Sequence, residues 1–592
     1  MRFRYLITSA FLAAVAIVNM GGLSAADERP RAPKLLPKDT LVFARISDIK
    51  EMREKFDQTA LGRIRKDEKI KPFLEHLYGS ALDAFKAVET EVGVPLNDVL
   101  AIPQGELCFA IVAPETGPPA VVLLIDCGKQ IDNVNKLIER GEQELTNSGG
   151  TRKTEDSGDT ELVIYRGAGE ERELIKFERD GVLCITSDIS ITRDVLARWN
   201  GEAGEEDECL LDNRKFVTVM RQSSGIAGER PQITFFADPI ETARIATRGN
   251  FAAQTGLALL VPLGLDGIQA VGGGTVLATE EFDGITHLHI MLDNPRTGVL
   301  EVLTFQPGDT TPEAWVPKDT AGYATVNWDP AKSYDLVHKL FDSFRGEGKL
   351  QEEIDNRINV PVDINLEEDV IAHLNGRITY ISWMEKPAKV NSGCNMVGIK
   401  LQDAAGFRRT LEHLVDLAGD RLDSDAIGTT KYYKQVQRND SQPEIGIPIR
   451  RPDPCFGIVG DYLLLSDSSA LFKEAVKSHG IPGDSLADQP DFKVVSTKIA
   501  RHAGTRRPVF AGFQRPDEAL RALYEVAVSK ETKGLLDQNV EGNPVLQALK
   551  GAMEDHPLPA FAELQKYLAP RGSYVTSDET GIHYVGLDLR RK

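Results

Sequence analysis

The chain has 592 residues, of which 41% are apolar and 27% are charged, and its formal net charge is −20. One hydrophobic core rarely serves more than about 250 to 300 residues, so we expect two or more domains. The acidic balance repels phosphate backbones and no basic stripe offsets it, so we exclude nucleic acid as a partner; the same charge favours solubility.

The first residues have the layout of a cleavable secretory signal. Arg2 and Arg4 form a basic start, Tyr5 to Val18 is apolar, and small residues end at Ala26. The apolar run is shorter than the roughly 20 residues that a membrane span needs. The sequence therefore predicts a signal peptide at 1–26, cleaved near Ala26, and a periplasmic or secreted protein. An uncleaved, anchoring N-terminus is the alternative.

Only one other stretch is densely apolar. It runs from Gly256 to Leu265 and is interrupted by Pro262. It is too short to cross a bilayer. We therefore predict no transmembrane helix in the mature chain.

A motif near the start occurs twice. Residues 36–46 read LPKDTLVFARI and residues 316–326 read VPKDTAGYATV. In each copy Pro and Asp form a turn that opens a strand. Because the later elements also recur in order, the sequence predicts a tandem duplication with a period of roughly 280 residues. The predicted domains are 35–305 and 315–592, joined by a linker at 306–314 whose composition is typical of loops.

Each copy continues from its motif into a helix. Asp48 is the predicted cap of the first, with Glu51 three residues on, and Asp329 caps the second, with Pro330 at the first helical position. A strand hairpin, a helix, further strands and another helix follow in both copies. The late strands are bracketed by prolines eight residues apart, Pro231 with Pro239 and Pro508 with Pro516.

Strand hairpins interspersed with helices favour an α+β fold, with largely antiparallel sheet and packed helices in two homologous tandem units. The first hairpin pairs Glu106 to Val112 with Ala120 to Ile125, and its counterpart pairs Arg377 to Trp383 with Met396 to Leu401. The closing strands are Gly267 to Leu292 and Gly572 to Leu589.

The six cysteines are too few to be a stabilising framework for so long a chain. Two pairings are considered, Cys394 with Cys455 and Cys108 with Cys127. Symmetric pairing about the intervening turn puts Cys108 opposite Ile125, so its bridge would need a register change of two residues. The other reading makes the cysteines small buried hydrophobes.

His287 and His289 are the candidate metal ligands, since residues two apart on a strand face the same side. The sequence shows no third ligand, so an exposed strand face is favoured. Aligning Gly284 with Gly581 places Tyr584 and Gly586 at the equivalent positions. The loop at 423–428 begins like a calcium loop, but Ile427 replaces an oxygen ligand, and the segment is interpreted as a hairpin.

We find no catalytic or cofactor signature in the chain. Gly272, Gly273 and Gly274 do not open a helix after a strand and are interpreted as a bent strand. Residues shared by the two copies are those that turns, caps and cores require, and they include no His, Cys or Glu pair. The sequence therefore predicts no catalytic residues, no cofactor and no metal, although a dispersed triad stays open.

The Pro-Lys-Asp-Thr strand openings, the Ser-Asp helix entries and the proline-bracketed strands resemble those of large exported bacterial proteins that are classed as a domain of unknown function. The resemblance covers the mature chain and implies an extracytoplasmic location, with no activity or site residues.

The sequence thus favours an exported, soluble, non-catalytic module that binds an unknown ligand or an envelope partner. The alternatives are an extracytoplasmic hydrolase with a dispersed site and a carrier of an apolar ligand. A ligand site in a cleft between the two units, if they face each other, is the natural expectation.

Overall fold

The computed structural model describes residues 29–76, 101–170, 172–204, 207–224, 230–302, 305–389, 391–436, 449–530, 532, 534 and 544–591. The predicted signal peptide, 1–26, lies outside these residues. The chain divides into two compact units. Unit 1 contains the described residues up to Leu259 together with Ile268–Asp293, and unit 2 contains Leu260–Gly267 together with the described residues from Asn294 onward.

The described part of unit 1 has ten strands and eight α-helices. The strands are β1 (Thr40–Ile46), β2 (Leu107–Val112), β3 (Ala120–Asp126), β4 (Thr151–Ser157), β5 (Thr160–Arg166), β6 (Glu173–Arg179), β7 (Val182–Thr186), β8 (Ile233–Ala237), β9 (Ile268–Leu277) and β10 (Phe282–Leu292). The helices are α1 (Ala32–Leu35), α2 (Ile49–Gln58), α3 (Ala60–Lys66), α4 (Ile131–Asn147), α5 (Ile189–Asn200), α6 (Arg214–Ser223), α7 (Pro239–Ala246) and α8 (Phe251–Ala258).

The described part of unit 2 has ten further strands. They are β11 (Gly322–Asn327), β12 (Leu374–Met384), β13 (Gly393–Leu401), β14 (Leu422–Ile427), β15 (Thr430–Gln435), β16 (Cys455–Val459), β17 (Tyr462–Ser466), β18 (Phe510–Gln514), β19 (Arg571–Asp578) and β20 (Gly581–Leu589). Its α-helices are α9 (Val299–Val302), α10 (Pro330–Arg345), α11 (Lys349–Ile354), α12 (Val360–Val362), α13 (Ala404–Ala418), α14 (Ser469–Gly480), α15 (Pro490–Ala503), α16 (Pro516–Val528), α17 (Pro544–Asp555) and α18 (Phe561–Gln565).

Both units have antiparallel sheets with the same strand order. In unit 1 the order is β4-β5-β6-β7-β3-β2-β1-β8-β9-β10. In unit 2 it is β14-β15-β16-β17-β13-β12-β11-β18-β19-β20. The predicted α+β class with antiparallel sheet is confirmed. Corresponding strands also pair in the same register over their regular parts, so positions there have counterparts in the other sheet.

Side-chain caps start the helices where the sequence predicts them. Asp48 accepts a hydrogen bond from the amide of Glu51 at 2.9 Å, and Asp329 accepts one from the amide of Lys332 at 3.0 Å. Pro239 and Pro516 open α7 and α16. The two aspartates accept hydrogen bonds from amides that a helix start leaves unsatisfied, and a proline at the first helical position has no amide hydrogen to satisfy. The predicted helix starts are therefore confirmed.

Helices cover both faces of each sheet. In unit 1, the main core joins β1 to β3 and β5 to β7 with α1, α5 and α6, and a second cluster joins the other face to Val134 of α4. In unit 2, Phe407 and Leu411 of α13 pack on one face, while Phe472 of α14 stacks on Tyr432 with ring centres 5.0 Å apart. Alternation along each strand supplies both cores.

All six cysteines are free. Cys108 lies opposite Leu124, not Ile125, so the predicted register is wrong by one residue. Cys108 packs in the main core, whereas Cys127 packs in the cluster on the other face. Cys394 and Cys455 lie on β13 and β16, which are separated by β17. Both proposed pairings are wrong in this structure, because a disulfide needs Cα atoms within about 7 Å.

The predicted linker 306–314 packs within unit 2. The amide of Gln306 donates to the carbonyl of Asn327 at 2.9 Å, and Thr310 O accepts from the Tyr323 hydroxyl at 3.1 Å. This segment is therefore part of the unit that it precedes. Among the described residues, no helix combines the length and the apolar character needed to cross a bilayer.

Candidate functional site

The predicted metal candidates, His287 and His289, lie side by side on β10 and are buried, with 2% and 0% of their surface exposed. Their direct partners on β9 are Gly274 and Gly272. A Cβ atom on Gly272 would lie 2.6 Å from Val219 of α6, so this face is covered by that helix. The expected exposed strand face is therefore wrong.

The register also corrects the alignment of the closing strands. Strand pairing makes Val585 and Leu587, both buried, the counterparts of the two histidines, instead of Tyr584 and Gly586. The histidines thus occupy core positions that aliphatic side chains fill in unit 2. No group of three metal-ligating side chains occurs in the described part of the chain.

Each unit has a buried charge cluster at the start of its second strand. In unit 1, the carboxylate of Glu106 is 1% exposed and accepts from Arg29 Nη1 at 3.2 Å, from Arg45 Nε at 2.5 Å and from the amide of Ala32. Arg29 also contacts Asp126 at 2.9 Å. These contacts fasten the chain before β1 onto the sheet.

In unit 2 the signs are exchanged. Arg377, the counterpart of Glu106, is 5% exposed and lies 3.2 Å from Asp309 and 3.0 Å from Glu313. It also donates to Thr325 Oγ1 at 3.2 Å, and Thr325 is the counterpart of Arg45. Burial raises the pKa of Glu313, and the Arg377 charge opposes that effect. In both clusters the buried charge is paired with opposite charges of its own unit, so the clusters are structural.

An open groove in unit 2 is the strongest candidate site. It has a volume of about 570 Å³ and lies beside the end of α13 over strands β13, β17, β16 and β15. Its lining is mostly apolar and consists of Asn395, Met396, Val397, Ala418, Arg421, Leu422, Gln435, Pro454, Cys455, Phe456, Leu465, Ser466 and Asp467. Small-molecule sites commonly have volumes of roughly 300 to 1,000 Å³.

The floor of this groove is a row of cross-strand neighbours. Val397 pairs with Leu465, and Leu465 pairs with Phe456. Phe456 in turn lies beside Tyr433, with ring centres 5.5 Å apart. Leu465 is 40% exposed although it lies in the middle of the sheet. Because Leu465 is exposed at the centre of this aromatic and aliphatic row, its side chain is available for contact with another apolar group.

Unit 1 fills the equivalent place with its own side chains. A small buried cluster there contains Leu145, Val163 and Tyr165 with Leu174 packed on it. By strand register, Gln435 is the counterpart of Tyr165, and Pro454 is the counterpart of Leu174. The helices α4 and α13 place Ala418 where unit 1 has Leu145. Two of the side chains that close this place in unit 1 thus have smaller or more exposed counterparts in unit 2, whereas Val163 has the larger Tyr433 as its counterpart.

Polar groups close the unit 1 cluster and are missing from its unit 2 counterpart. Glu142 accepts from the Tyr165 hydroxyl at 2.5 Å and from Arg152 Nε at 3.1 Å, and Lys176 lies at the centre of the floor row. In unit 2, Leu422 takes the place of Arg152 and Phe456 that of Lys176. The unit 2 surface is therefore both more open and more apolar.

Three polar residues of the groove, Asn395, Ser466 and Asp467, are hydrogen-bonded within the protein. Asp467 accepts from the amide of Asn395 at 3.0 Å and from its Nδ2 at 2.9 Å, and Arg450 lies 3.3 Å away. Burial raises the pKa of the Cys455 thiol to about 12, so this group is protonated and a poor nucleophile at neutral pH. The groove is equipped to bind an apolar group and presents no activated nucleophile among its lining residues.

A second cavity of about 400 Å³ lies between α15 and the sheet of unit 2, lined by Tyr323, Phe492 and Ile499 with Arg506 and Arg507 at one side. Sequence reasoning identified neither cavity. The informative signal would have been the loss of large residues at Ala418 and Gln435 relative to Leu145 and Tyr165, which only a correct register reveals.

Comparison with protein-family models, with curated proteins and with solved structures gave no match for this chain.

Proposed function

We propose that this protein is an exported, non-catalytic binding module that takes an apolar ligand in the groove of unit 2. The observation that carries the proposal is the contrast between corresponding places in the two units. Where unit 1 is closed by Leu145 and Tyr165, unit 2 has Ala418 and Gln435 beside an exposed Leu465. A ligand restores the apolar contacts that the missing side chains supply in unit 1.

The difference between the two units also indicates the chemistry of the ligand. In unit 1 this place holds one aromatic ring and one branched aliphatic side chain, those of Tyr165 and Leu145, and the floor of the groove in unit 2 is Val397, Leu465 and Phe456. A neutral, partly aromatic molecule, or an aromatic side chain of a partner protein, fits this chemistry. A cationic ligand fits poorly, because Asp467, the acidic residue of the lining, is already paired with Asn395 and Arg450.

Two further proposals accompany this one. The basic, apolar and small-residue order of the first 26 residues supports export by a cleaved leader. The repeated Pro-Lys-Asp-Thr motif and the shared strand order support a tandem duplication in which the second copy acquired the groove. The resemblance to exported proteins of unknown function agrees with both. An envelope partner that carries the ligand group is compatible with the same site.

A filled groove tests the binding proposal. The double variant Ala418→Leu and Gln435→Tyr places the unit 1 side chains in unit 2. We expect it to lower the affinity for the neutral fluorescent probe N-phenyl-1-naphthylamine by at least about tenfold, since it removes most of the apolar contact area. The measurement is a fluorescence titration, with circular dichroism to verify folding.

The matched control is Glu412→Leu, which adds the same side chain on an exposed position of the same helix. It should leave probe binding unchanged. Native mass spectrometry of the wild-type protein should also detect a co-purified apolar molecule that the double variant lacks. Equal probe binding by wild type and double variant would show that the groove is not the site.

A further inference from the structure

A second apolar surface lies outside the groove. The apolar segment, defined as α8 and the residues after it to Leu263, contains no charged residue, and the charge-free stretch extends to Leu265. Phe251 is 84% exposed, Leu259 58% and Val261 61%. A Phe and two aliphatic residues so close together, all in water, differ from the singly scattered apolar residues of an ordinary surface.

The helix is apolar on all sides. Its polar residues are Gln254 and Thr255, and none of its residues is buried. A surface helix of a soluble protein normally has one apolar face toward the core, whereas a helix that is apolar all round is surrounded by an apolar medium. A protein partner would cover one face of α8 and leave the others in water. The hydrocarbon of a lipid layer covers every face.

The backbone of the segment is hydrogen-bonded within itself. Asn250 caps the helix by accepting from the amide of Ala253 at 3.1 Å, and Thr255 Oγ1 donates to the carbonyl of Phe251 at 2.9 Å. The turn that follows is closed by the amide of Leu265, which donates to Leu260 at 2.9 Å. A segment entering hydrocarbon must satisfy its backbone groups in this way, because no water is available there.

We propose that the apolar segment inserts into one leaflet of a lipid membrane and anchors the protein reversibly at its surface. An eight-residue helix is about 12 Å long, against about 30 Å for the hydrocarbon core, so it enters one leaflet and does not span the bilayer. Arg248 is exposed two residues before the cap Asn250, so this cation lies next to the segment, where lipid phosphates would be. Arg244, one helical turn earlier, is already paired with Glu241.

This proposal does not depend on the groove. Together, however, the two surfaces would suit a protein that exchanges an apolar molecule with a bilayer. The proposed binding partner of the segment is a vesicle or membrane surface. A second copy of the chain is the competing partner, and the test distinguishes the two.

The test is flotation with vesicles of phosphatidylcholine alone and of phosphatidylcholine with phosphatidylglycerol. We expect the wild-type protein to float with both. The double variant Phe251→Asp and Leu259→Asp should bind at least about tenfold more weakly, since it replaces two inserted apolar side chains by carboxylates. Because both positions are exposed, the variant should fold normally. Leu523→Asp, at a residue that is 68% exposed elsewhere, is the matched control and should float like the wild type.

A second readout reports insertion directly. In Phe251→Trp, the added indole should be quenched by lipids brominated in their acyl chains. Absence of flotation by the wild type, equal flotation by the double variant, or binding only to the anionic vesicles without quenching would overturn the proposal. Sedimentation that shows a dimer broken by Phe251→Asp and Leu259→Asp, without lipid binding, would assign the segment to a second copy instead.

Discussion

A buried carboxylate at Glu106 and a buried guanidinium at Arg377 occupy the same place in the two sheets. Each is held by opposite charges from the segment that precedes the first strand, Arg29 in unit 1 and Asp309 in unit 2. A comparison of identical residues misses this relation, because the two units have different residues at this position. In both units the residue on the second strand forms an ion pair with the preceding segment. Each of the two paired residues has the opposite charge in the other unit.

Removing one partner of such a cluster is costly. Glu106→Gln leaves Arg29 and Arg45 without their common carboxylate, and we expect a loss of about 3 to 5 kcal/mol in the free energy of unfolding. Urea unfolding followed by fluorescence measures it. Glu208→Gln, which breaks an exposed pair with Lys38 at 2.5 Å, is the matched control and should change the free energy of unfolding far less. Similar losses in both variants would contradict the structural role of Glu106.

At the level of elements, the β14–β15 hairpin shows how far local pattern reaches. The sequence interpretation of 423–428 as a hairpin and not a calcium loop is confirmed by the pairing of Leu422–Ile427 with Thr430–Gln435. Asp425 is used within the hairpin, where its carboxylate accepts from Lys434 Nζ at 3.0 Å, from the Tyr432 hydroxyl at 2.8 Å and from the amide of Ala426.

These hydrogen bonds lower the pKa of Asp425 to about 2, the bond from Lys434 contributing most. A carboxyl with a lowered pKa stabilises the fold above its unfolded pKa and loses that contribution as pH falls through the folded value. We therefore expect the protection factors of the amides in this hairpin, which compare observed with intrinsic exchange, to fall between about pH 4 and pH 2 in the wild type. In Asp425→Asn this fall should be absent.

Hydrogen exchange measured by mass spectrometry over this pH range tests the assignment. Asp423→Asn, at an exposed position of the same strand, is the control and should behave like the wild type. An unchanged acid response in Asp425→Asn would assign the effect to another carboxyl.

The closing hairpin shows where local pattern fails. The sequence comparison aligned Gly284 with Gly581, and this alignment of the closing strands is one residue out of register. A slip of one residue moves every side chain to the other face of a strand, so the alignment misplaced the counterparts of His287 and His289. Only the pairing of β9 with β10, and of β19 with β20, identifies the correct partners.

At the level of the whole molecule, the ten described strands of each unit have the same order. Equivalent positions of the two sheets are occupied by different residues. Arg29, the first residue that the structure describes, is anchored in unit 1 and has a side chain that is 9% exposed. It lies three residues after the proposed cleavage position, so removal of the leader would leave the anchor intact.

That arrangement gives a prediction for the native protein. We expect the mature N-terminus to be Asp27, because cleavage after Ala26 follows the small-residue pattern of a leader and spares Arg29. N-terminal sequencing of the protein from the extracytoplasmic fraction is the measurement. Replacing Ala26 with a large residue, as in Ala26→Phe, should retain the leader in the product. A native protein that starts at Met1 in the cytosol would contradict export.

The sequence by itself determined the α+β class, the order of the elements and the helix starts at Asp48, Asp329 and the paired prolines, because capping and strand alternation act between residues close in the chain. The tertiary structure alone decided that the histidines of β10 are buried, that the cysteines lie apart, and that 306–314 belongs to unit 2. It also decided the groove, since Ala418, Gln435, Pro454 and Leu465 meet only through the pairing of β13, β17, β16 and β15. Contacts between residues so far apart in the chain depend on strand register and on the space that neighbouring side chains leave free. Local sequence patterns determine neither of these.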